Sequence, residues 1–149
     1  MHRLENNFTA KLALDLDCFG TETSWKLKDN LGNTLYASEP YFDDSSGLYN
    51  HLFCLSYGCY KLVFYDQYGD GMSGCSAVDG GNGSFILSDN TTGYVLAQLN
   101  ENDADFGSVL EKDFCVTSST SLNEFNLENN IELYPNPGND VINIKTGSA

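Results

Sequence analysis

Short runs in which apolar and polar residues alternate constrain the fold of this chain most strongly. Such runs occupy residues 11–17, 23–29 and 59–65, where about every second side chain is apolar. A period of two puts alternate side chains on opposite faces of a strand. Further runs of strand character, each bounded by Gly-, Asn- or Asp-rich turns, cover residues 34–37, 48–55, 84–88, 93–99 and 108–116. We therefore predict an all-β fold, a jelly-roll-like antiparallel β-sandwich of about eight strands.

The net charge of the chain argues against some classes of binding partner. Its 149 residues contain 21 acidic and 7 basic side chains, which gives a formal net charge of −14. A field of that sign repels nucleic acid and anionic lipid, and no apolar run reaches the roughly 20 residues of a membrane-spanning helix. The acidity favours hard cations as ligands, or it serves solubility alone.

Five cysteines are spaced in a way that fits no zinc motif, because CxxC pairs are absent and the sequence has only two histidines. Disulfides in an exported protein are the better interpretation. Cys54 and Cys59 flank a tight turn, and this predicts a Cys54–Cys59 bridge. Among Cys18, Cys75 and Cys115, two can pair and one is left over, and the spacing does not choose between them.

The loop from Asp66 to Gly74 carries the strongest signal for chemistry. Asp66 and Asp70 stand four residues apart among three glycines, so a short loop can turn carboxylates and backbone carbonyls inward. Ca²⁺ takes six to eight such oxygens. The spacing is not that of an EF-hand, and an Asp/Gly-rich surface turn without an ion remains the alternative.

Other candidate ligands lie in neighbouring loops. Glu22 and Asp17 flank the connection before the run at 23–29, which we expect to reach the same end of the sandwich as the Asp66 loop. They are further candidate Ca²⁺ ligands, with Asp105 as an outside candidate. Tyr68 and Tyr57, both at turns, are candidate ligand-binding aromatics, although amphipathic rings also fill sandwich cores.

Catalysis is not expected. The internal histidine His51 lies on an alternating strand with no Ser or Cys nucleophile motif nearby, and the sequence has no HExxH, GxSxG or P-loop. Paired carboxylates can cleave glycosides, but pairing among 21 acids carries little information. We predict a protein that is not an enzyme.

Five segments in order resemble a family of β-sandwich modules from large secreted Bacteroidetes proteins. The similarity runs over Leu14–Trp25, Cys54–Tyr60, Tyr65–Met72, Asp105–Gly107 and Phe114–Cys115, and it covers residues 10–116. These match patterns of the form DxxGxETSWxL, CLxxGCY, DxYGDGM, FG and FC. The resemblance implies an accessory or binding role rather than catalysis, and it does not supply a ligand.

The tail resembles a second family. Residues 132–144 read ELYPNPGNDVINI, a rigid Pro-Asn-Pro-Gly turn followed by an apolar strand. This is similar to the start of the C-terminal sorting domain of type IX secretion cargo. It implies an extracellular or cell-surface location and the type IX machinery as a partner. The expected organisation is a linker at 1–9, the module at 10–116, a linker at 117–130 and a truncated sorting domain at 131–149.

Together these features predict a non-catalytic extracellular adhesion module, stabilised by Ca²⁺, whose loops recognise carbohydrate or a cell surface. The alternative is a structural or assembly subunit that self-associates or docks on its parent protein by β-strand addition.

Overall fold

Eight strands form the protein in the computed structural model, which describes residues 7–43 and 48–118. Three single 3₁₀ turns, at Gly20–Glu22, Ala77–Asp79 and Glu101–Asp103, lie in the loops. In chain order the strands are β1 (Asn7–Asp15), β2 (Thr23–Asp29), β3 (Thr34–Ala37), β4 (Leu48–Ser56), β5 (Gly58–Asp66), β6 (Ser84–Asp89), β7 (Val95–Leu99) and β8 (Val109–Val116).

The strands make two four-stranded antiparallel sheets. The first has the order β4-β1-β6-β7 and the second the order β3-β2-β5-β8. Only β2–β3 and β6–β7 are hairpins, so every other connection crosses from one sheet to the other. The predicted all-β sandwich of about eight strands is confirmed.

The core lies between the sheets, on the faces that the alternation predicted. Leu12, Leu14 and Leu16 are buried, as are Trp25 and Leu27 from the second sheet. At the centre the rings of Phe64 and Phe85 stack with centroids 4.6 Å apart. Burying a large apolar side chain contributes about 1.5–3 kcal/mol, and this shared interior fixes which face of each strand turns inward.

A polar chain of three rings crosses this interior. The Trp25 indole N–H donates to the Tyr41 hydroxyl at 2.9 Å, and that hydroxyl lies 3.0 Å from Nε2 of His51. Burial lowers the pKa of His51, which favours the neutral imidazole as acceptor of the Tyr41 proton. His51, on β4, is half-buried and contacts both Tyr41 and Trp25, so these three rings connect the two sheets.

The cysteine pairing differs from the prediction. Disulfides join Cys18 to Cys75 and Cys59 to Cys115, and Cys54 is free and exposed. The predicted Cys54–Cys59 bridge is wrong because β4 and β5 are not a hairpin and belong to different sheets. Cys59 instead lies directly opposite Cys115 in the β5–β8 register.

The long connections gather at one end of the sandwich. Residues 16–22, 38–43, 67–83 and 100–108 lie at this end, which we call the long-loop end, whereas the tight turns at 30–33, 57 and 90–94 lie at the other. The expectation that the Glu22 and Asp66 loops share an end is confirmed.

The strands extend beyond the expected module, residues 10–116, on its N-terminal side. Strand β1 begins at Asn7, so residues 7–9 of the expected linker are part of the first sheet, and β8 ends at Val116. The remaining residues of the expected linkers, 1–6 and 119–130, and the expected sorting segment at 131–149 lie outside the described residues. Within the part that is described, no helix has the length and apolar character needed to cross a bilayer.

Candidate metal centre

Asp66 organises the loop that follows β5. Its Oδ2 atom accepts backbone N–H groups from Gly69, Asp70 at 2.9 Å and Gly71 at 3.2 Å. The loop therefore wraps around one oxygen of this carboxylate. Hydrogen bonds to an ionised acceptor are roughly twice as strong as neutral ones, so these three donors hold a negative charge in place at the strand end.

Two backbone contacts fix the Asp66 loop against the loop before β8. The N–H of Met72 donates to the carbonyl of Ala104, and the N–H of Asp66 donates to the carbonyl of Ser108, both at 2.9 Å. Gly71 makes the close approach possible, because its φ of +71° and its contact with residue 104 leave no space for a Cβ atom.

Glu22 and Asp70 join Asp66 to form what we call the acidic cluster. One carboxylate oxygen from each of the three residues lies within 4.8 Å of the others. Glu22 enters from the 3₁₀ turn before β2, and its carbonyl accepts the N–H of Gln67 at 3.1 Å. Three of the four predicted metal ligands are thus brought together from two separate loops.

Buried oxygen atoms without hydrogen-bond partners concentrate here. Asp66 is only 5% exposed, and its Oδ1 atom is buried and unpartnered, as is Oδ1 of Asp70. Thr23, the cross-strand neighbour of Asp66, has the remaining unpartnered oxygen of this kind among the described residues. An unsatisfied buried polar group costs about 1–3 kcal/mol and a charged one more, so the arrangement favours a bound cation.

Asp17, the fourth predicted ligand, adjoins the acidic cluster. It is 2% exposed, and its Oδ1 atom accepts the N–H of Phe19 at 3.1 Å. Burial raises the pKa of the Asp17 carboxyl, and repulsion from Asp70 and Asp66 raises it further. Burial likewise raises the pKa of Glu22, with repulsion from Asp66, Asp70, Asp17 and Asp43 in addition.

The raised pKa of Asp17 gives a testable pH dependence. A carboxyl whose pKa is higher in the folded state keeps a proton that the unfolded chain has lost, so its contribution to stability falls as pH rises from about 4. In EDTA, wild type should lose stability relative to Asp17→Asn over that range. Thermal unfolding of both proteins between pH 4 and 8 measures the difference in their stability. Asp29, Asp43 and Glu111 have the opposite pH dependence, because hydrogen bonds lower their pKa values. They are present in both proteins, so their contribution cancels in the difference. A constant difference would contradict it.

The donor set suits a hard cation. The acidic cluster and Asp17 offer carboxylate oxygens alone, and neither histidine nor free thiol takes part. Oxygen-only sets suit Ca²⁺, Mg²⁺ or Mn²⁺, whereas Zn²⁺ sites use nitrogen and sulfur. Of these, Ca²⁺ tolerates an irregular loop-built geometry best, so Glu22, Asp66 and Asp70 are the residues that would hold it.

The other predicted site residues are dispersed. Tyr68 lies in the Asp66 loop and is 72% exposed, whereas Tyr57 lies between β4 and β5 at the opposite end. The nine residues of β5 separate them by about 27 Å along the strand, so a single small ligand cannot contact both. Asp105 is exposed and not in the acidic cluster.

Two features of the site were not predicted from the sequence, and a third was one of several pairings that the sequence left open. Asp43 accepts both the N–H and the hydroxyl of Thr21, next to Glu22. Thr23 adds the buried hydroxyl, and the Cys18–Cys75 disulfide ties two of the loops. Of these features, only the disulfide is indicated by the sequence. Cys18 directly follows Asp17, and Cys75 directly follows the Asp66–Gly74 loop, so the two cysteines lie beside the candidate ligands.

Fold and geometry together define a β-sandwich domain with an acidic cluster at its long-loop end. No protein-family model, curated protein or solved structure matches the chain.

Proposed function

We propose that the protein is a non-catalytic extracellular adhesion module in which Ca²⁺ at the acidic cluster orders loops that recognise carbohydrate or a cell surface. The observation that carries the proposal is the convergence of Glu22, Asp66 and Asp70 around buried carboxylate oxygens that lack partners. Two disulfides support an oxidising, extracellular setting, and the resemblance of the tail to sorting domains supports export by the type IX machinery.

The cation has a structural role in this proposal. Without the cation, the carboxylates of the acidic cluster and of Asp17 repel one another at the long-loop end. A bound cation attracts all of them and so holds their loops together. Ordering the loops before a ligand arrives reduces the conformational entropy that binding would otherwise cost.

Aromatic side chains supply the recognition surface. Tyr68 projects from the loop that Asp66 organises, and Phe19 and Phe42 are exposed in neighbouring loops of the same end. Rings of this kind bury large apolar area, and tyrosine adds a hydroxyl for hydrogen bonding. Beside carboxylates and amides, they suit the apolar faces and hydroxyl groups of sugars.

Binding to a glycan array tests the proposal. Wild type should bind defined glycans on the array in millimolar Ca²⁺ and should not bind them in EDTA. Tyr68→Ala should weaken glycan binding by about tenfold, because an anchoring ring is lost. Tyr94→Ala is the matched control, because Tyr94 is also 72% exposed but lies in the β6–β7 turn at the opposite end. Equal losses for both variants, or binding indifferent to EDTA, would contradict the proposal.

The alternative, assembly by strand addition, has one observation for it and one against it. Leu48 and Leu52 are exposed on β4, which is an edge strand. The Tyr36 hydroxyl, however, bonds both the N–H and the carbonyl of Cys54 on that strand, at 3.1 and 3.3 Å. A strand adding at this point must displace Tyr36, and this favours the binding module.

A further inference from the structure

We infer that the Cys18–Cys75 disulfide sets the affinity of the cation site, so that the site binds Ca²⁺ strongly only in the oxidised protein. The inference rests on the proposed function, because it concerns regulation of that same site. It adds a redox dependence that neither the acidic cluster nor the recognition loops would have alone.

The disulfide links the two chain segments that carry the carboxylates. Cys18 directly follows Asp17 and precedes the turn that holds Glu22, whereas Cys75 ends the loop that begins at Asp66. The N–H of Cys18 also donates to Sγ of Cys75 at 2.8 Å. Three residues separate Cys18 from Glu22, and four separate Asp70 from Cys75.

Packing beside the disulfide transmits its position to the carboxylates. A Cβ placed on Gly74, next to Cys75, would lie 3.4 Å from Oδ2 of Asp70 and 3.9 Å from the Phe19 ring. The N–H of Gly83 donates to the carbonyl of Met72. A Cβ placed on Gly83 would lie only 3.1 Å from the backbone N of Asp17. Residues 16–22 and the Asp66 loop are therefore close to each other beside the disulfide, through Gly74 and Phe19 and through Gly83, which lies against both Asp17 and Met72.

Charge explains why the covalent link is needed. One carboxylate oxygen from each of Glu22, Asp66 and Asp70 lies within 4.8 Å of the others, so their like charges repel one another across the two linked segments. Once the link is broken, repulsion separates the two segments and the cation must bring them back at a cost in chain entropy. The disulfide removes that cost before binding.

Coupling between two equilibria acts in both directions. If the disulfide strengthens Ca²⁺ binding, Ca²⁺ must make the disulfide harder to reduce by the same factor. Reduction by dithiothreitol transfers two electrons and two protons to Cys18 and Cys75, and the two sulfurs of the reagent join in a new S–S bond. Both cysteines are partly exposed, so the reagent can reach them.

The chain supplies its own matched control. The Cys59–Cys115 disulfide closes a loop of sequence separation 56, against 57 for Cys18–Cys75, so loss of either releases nearly the same chain entropy. Cys59 and Cys115 lie at the opposite end of β5 and β8 from Asp66. An effect confined to Cys18–Cys75 is therefore a local effect on the site and not a loss of general stability.

The experiment is isothermal titration of Ca²⁺ into wild type, Cys18→Ala/Cys75→Ala and Cys59→Ala/Cys115→Ala at pH 7.

We expect affinity at least about tenfold weaker for the first variant and within about twofold of wild type for the second. Equal affinities in all three would overturn the inference and leave the cation site standing, whereas no binding to wild type would overturn both. Wild type alone gives a second readout by mass spectrometry of dithiothreitol-treated samples. At redox equilibrium, Ca²⁺ should raise the ratio of reduced to oxidised dithiothreitol needed to reduce half of Cys18–Cys75 and leave that ratio unchanged for Cys59–Cys115. Equal shifts for both disulfides would overturn the inference even if a variant fails to fold.

Discussion

Gly71→Ala is expected to abolish Ca²⁺ binding and to lower the free energy of unfolding by about 3 kcal/mol or more. A φ of +71° costs a non-glycine residue about 1–2 kcal/mol. The added Cβ would lie 2.1 Å from the carbonyl oxygen of Ala104 and 2.6 Å from the backbone N of Phe106. Neither backbone atom can move without separating the two loops, and overpacking of this kind adds about 1–3 kcal/mol.

Gly81→Ala is the control for Gly71→Ala. Gly81 has a similar φ of +77° in the same long connection, but a Cβ there meets nothing within 4 Å. Gly81→Ala should cost only the conformational term of about 1–2 kcal/mol and leave Ca²⁺ affinity unchanged. Urea unfolding with calorimetric titration measures both quantities. Equal behaviour of the two variants would show that the contact between the Asp66 loop and Ala104 does not shape the site.

Saturating Ca²⁺ is expected to raise the melting temperature of wild type by about 10 °C. A ligand at one hundred times its dissociation constant contributes about 2.7 kcal/mol, and for a domain of this size each kcal/mol corresponds to about 4 °C. The gain arises because the cation satisfies the buried oxygens of Asp66 and Asp70 and removes the repulsion among the carboxylates. Differential scanning calorimetry in Ca²⁺ and in EDTA measures it.

Asp66→Asn should remove most of this gain, since it deletes the buried charge while keeping an acceptor for the loop amides. Asp105→Asn is the matched control, because Asp105 is an exposed carboxylate in an adjoining loop. It should respond to Ca²⁺ as wild type does. A gain that survives Asp66→Asn, or one lost equally in both variants, would place the cation elsewhere on this acidic surface.

Alternation predicts the faces of the strands but not their partners. The leucines from Leu12 to Leu16 and the apolar side of β5 turn inward as expected, because burial of one face is a local property of the pattern. Cys54 and Cys59 are close in sequence across Tyr57, and this spacing alone predicts a hairpin. Their strands lie in different sheets because a single-residue connection at Tyr57 redirects the chain, and the pattern of neither strand encodes that change.

The site was predictable where its chemistry is local. Asp66 and Asp70 share one glycine-rich loop, so their convergence follows from a few residues of sequence. Glu22 and Asp17 required the further premise that long loops gather at one end. The buried hydroxyl of Thr23 and the hydrogen bonds from Thr21 to Asp43 depend on the packing of separate segments, and no spacing in the sequence indicates them.

The most direct test is anomalous diffraction from crystals grown in Ca²⁺, because it locates the ion and its ligands together. We expect an anomalous peak between Glu22, Asp66 and Asp70, with at least one oxygen of each at about 2.3–2.6 Å from it. A map at high resolution that shows only water there, with the three carboxylates turned toward solvent, would rule out a Ca²⁺ site at the acidic cluster.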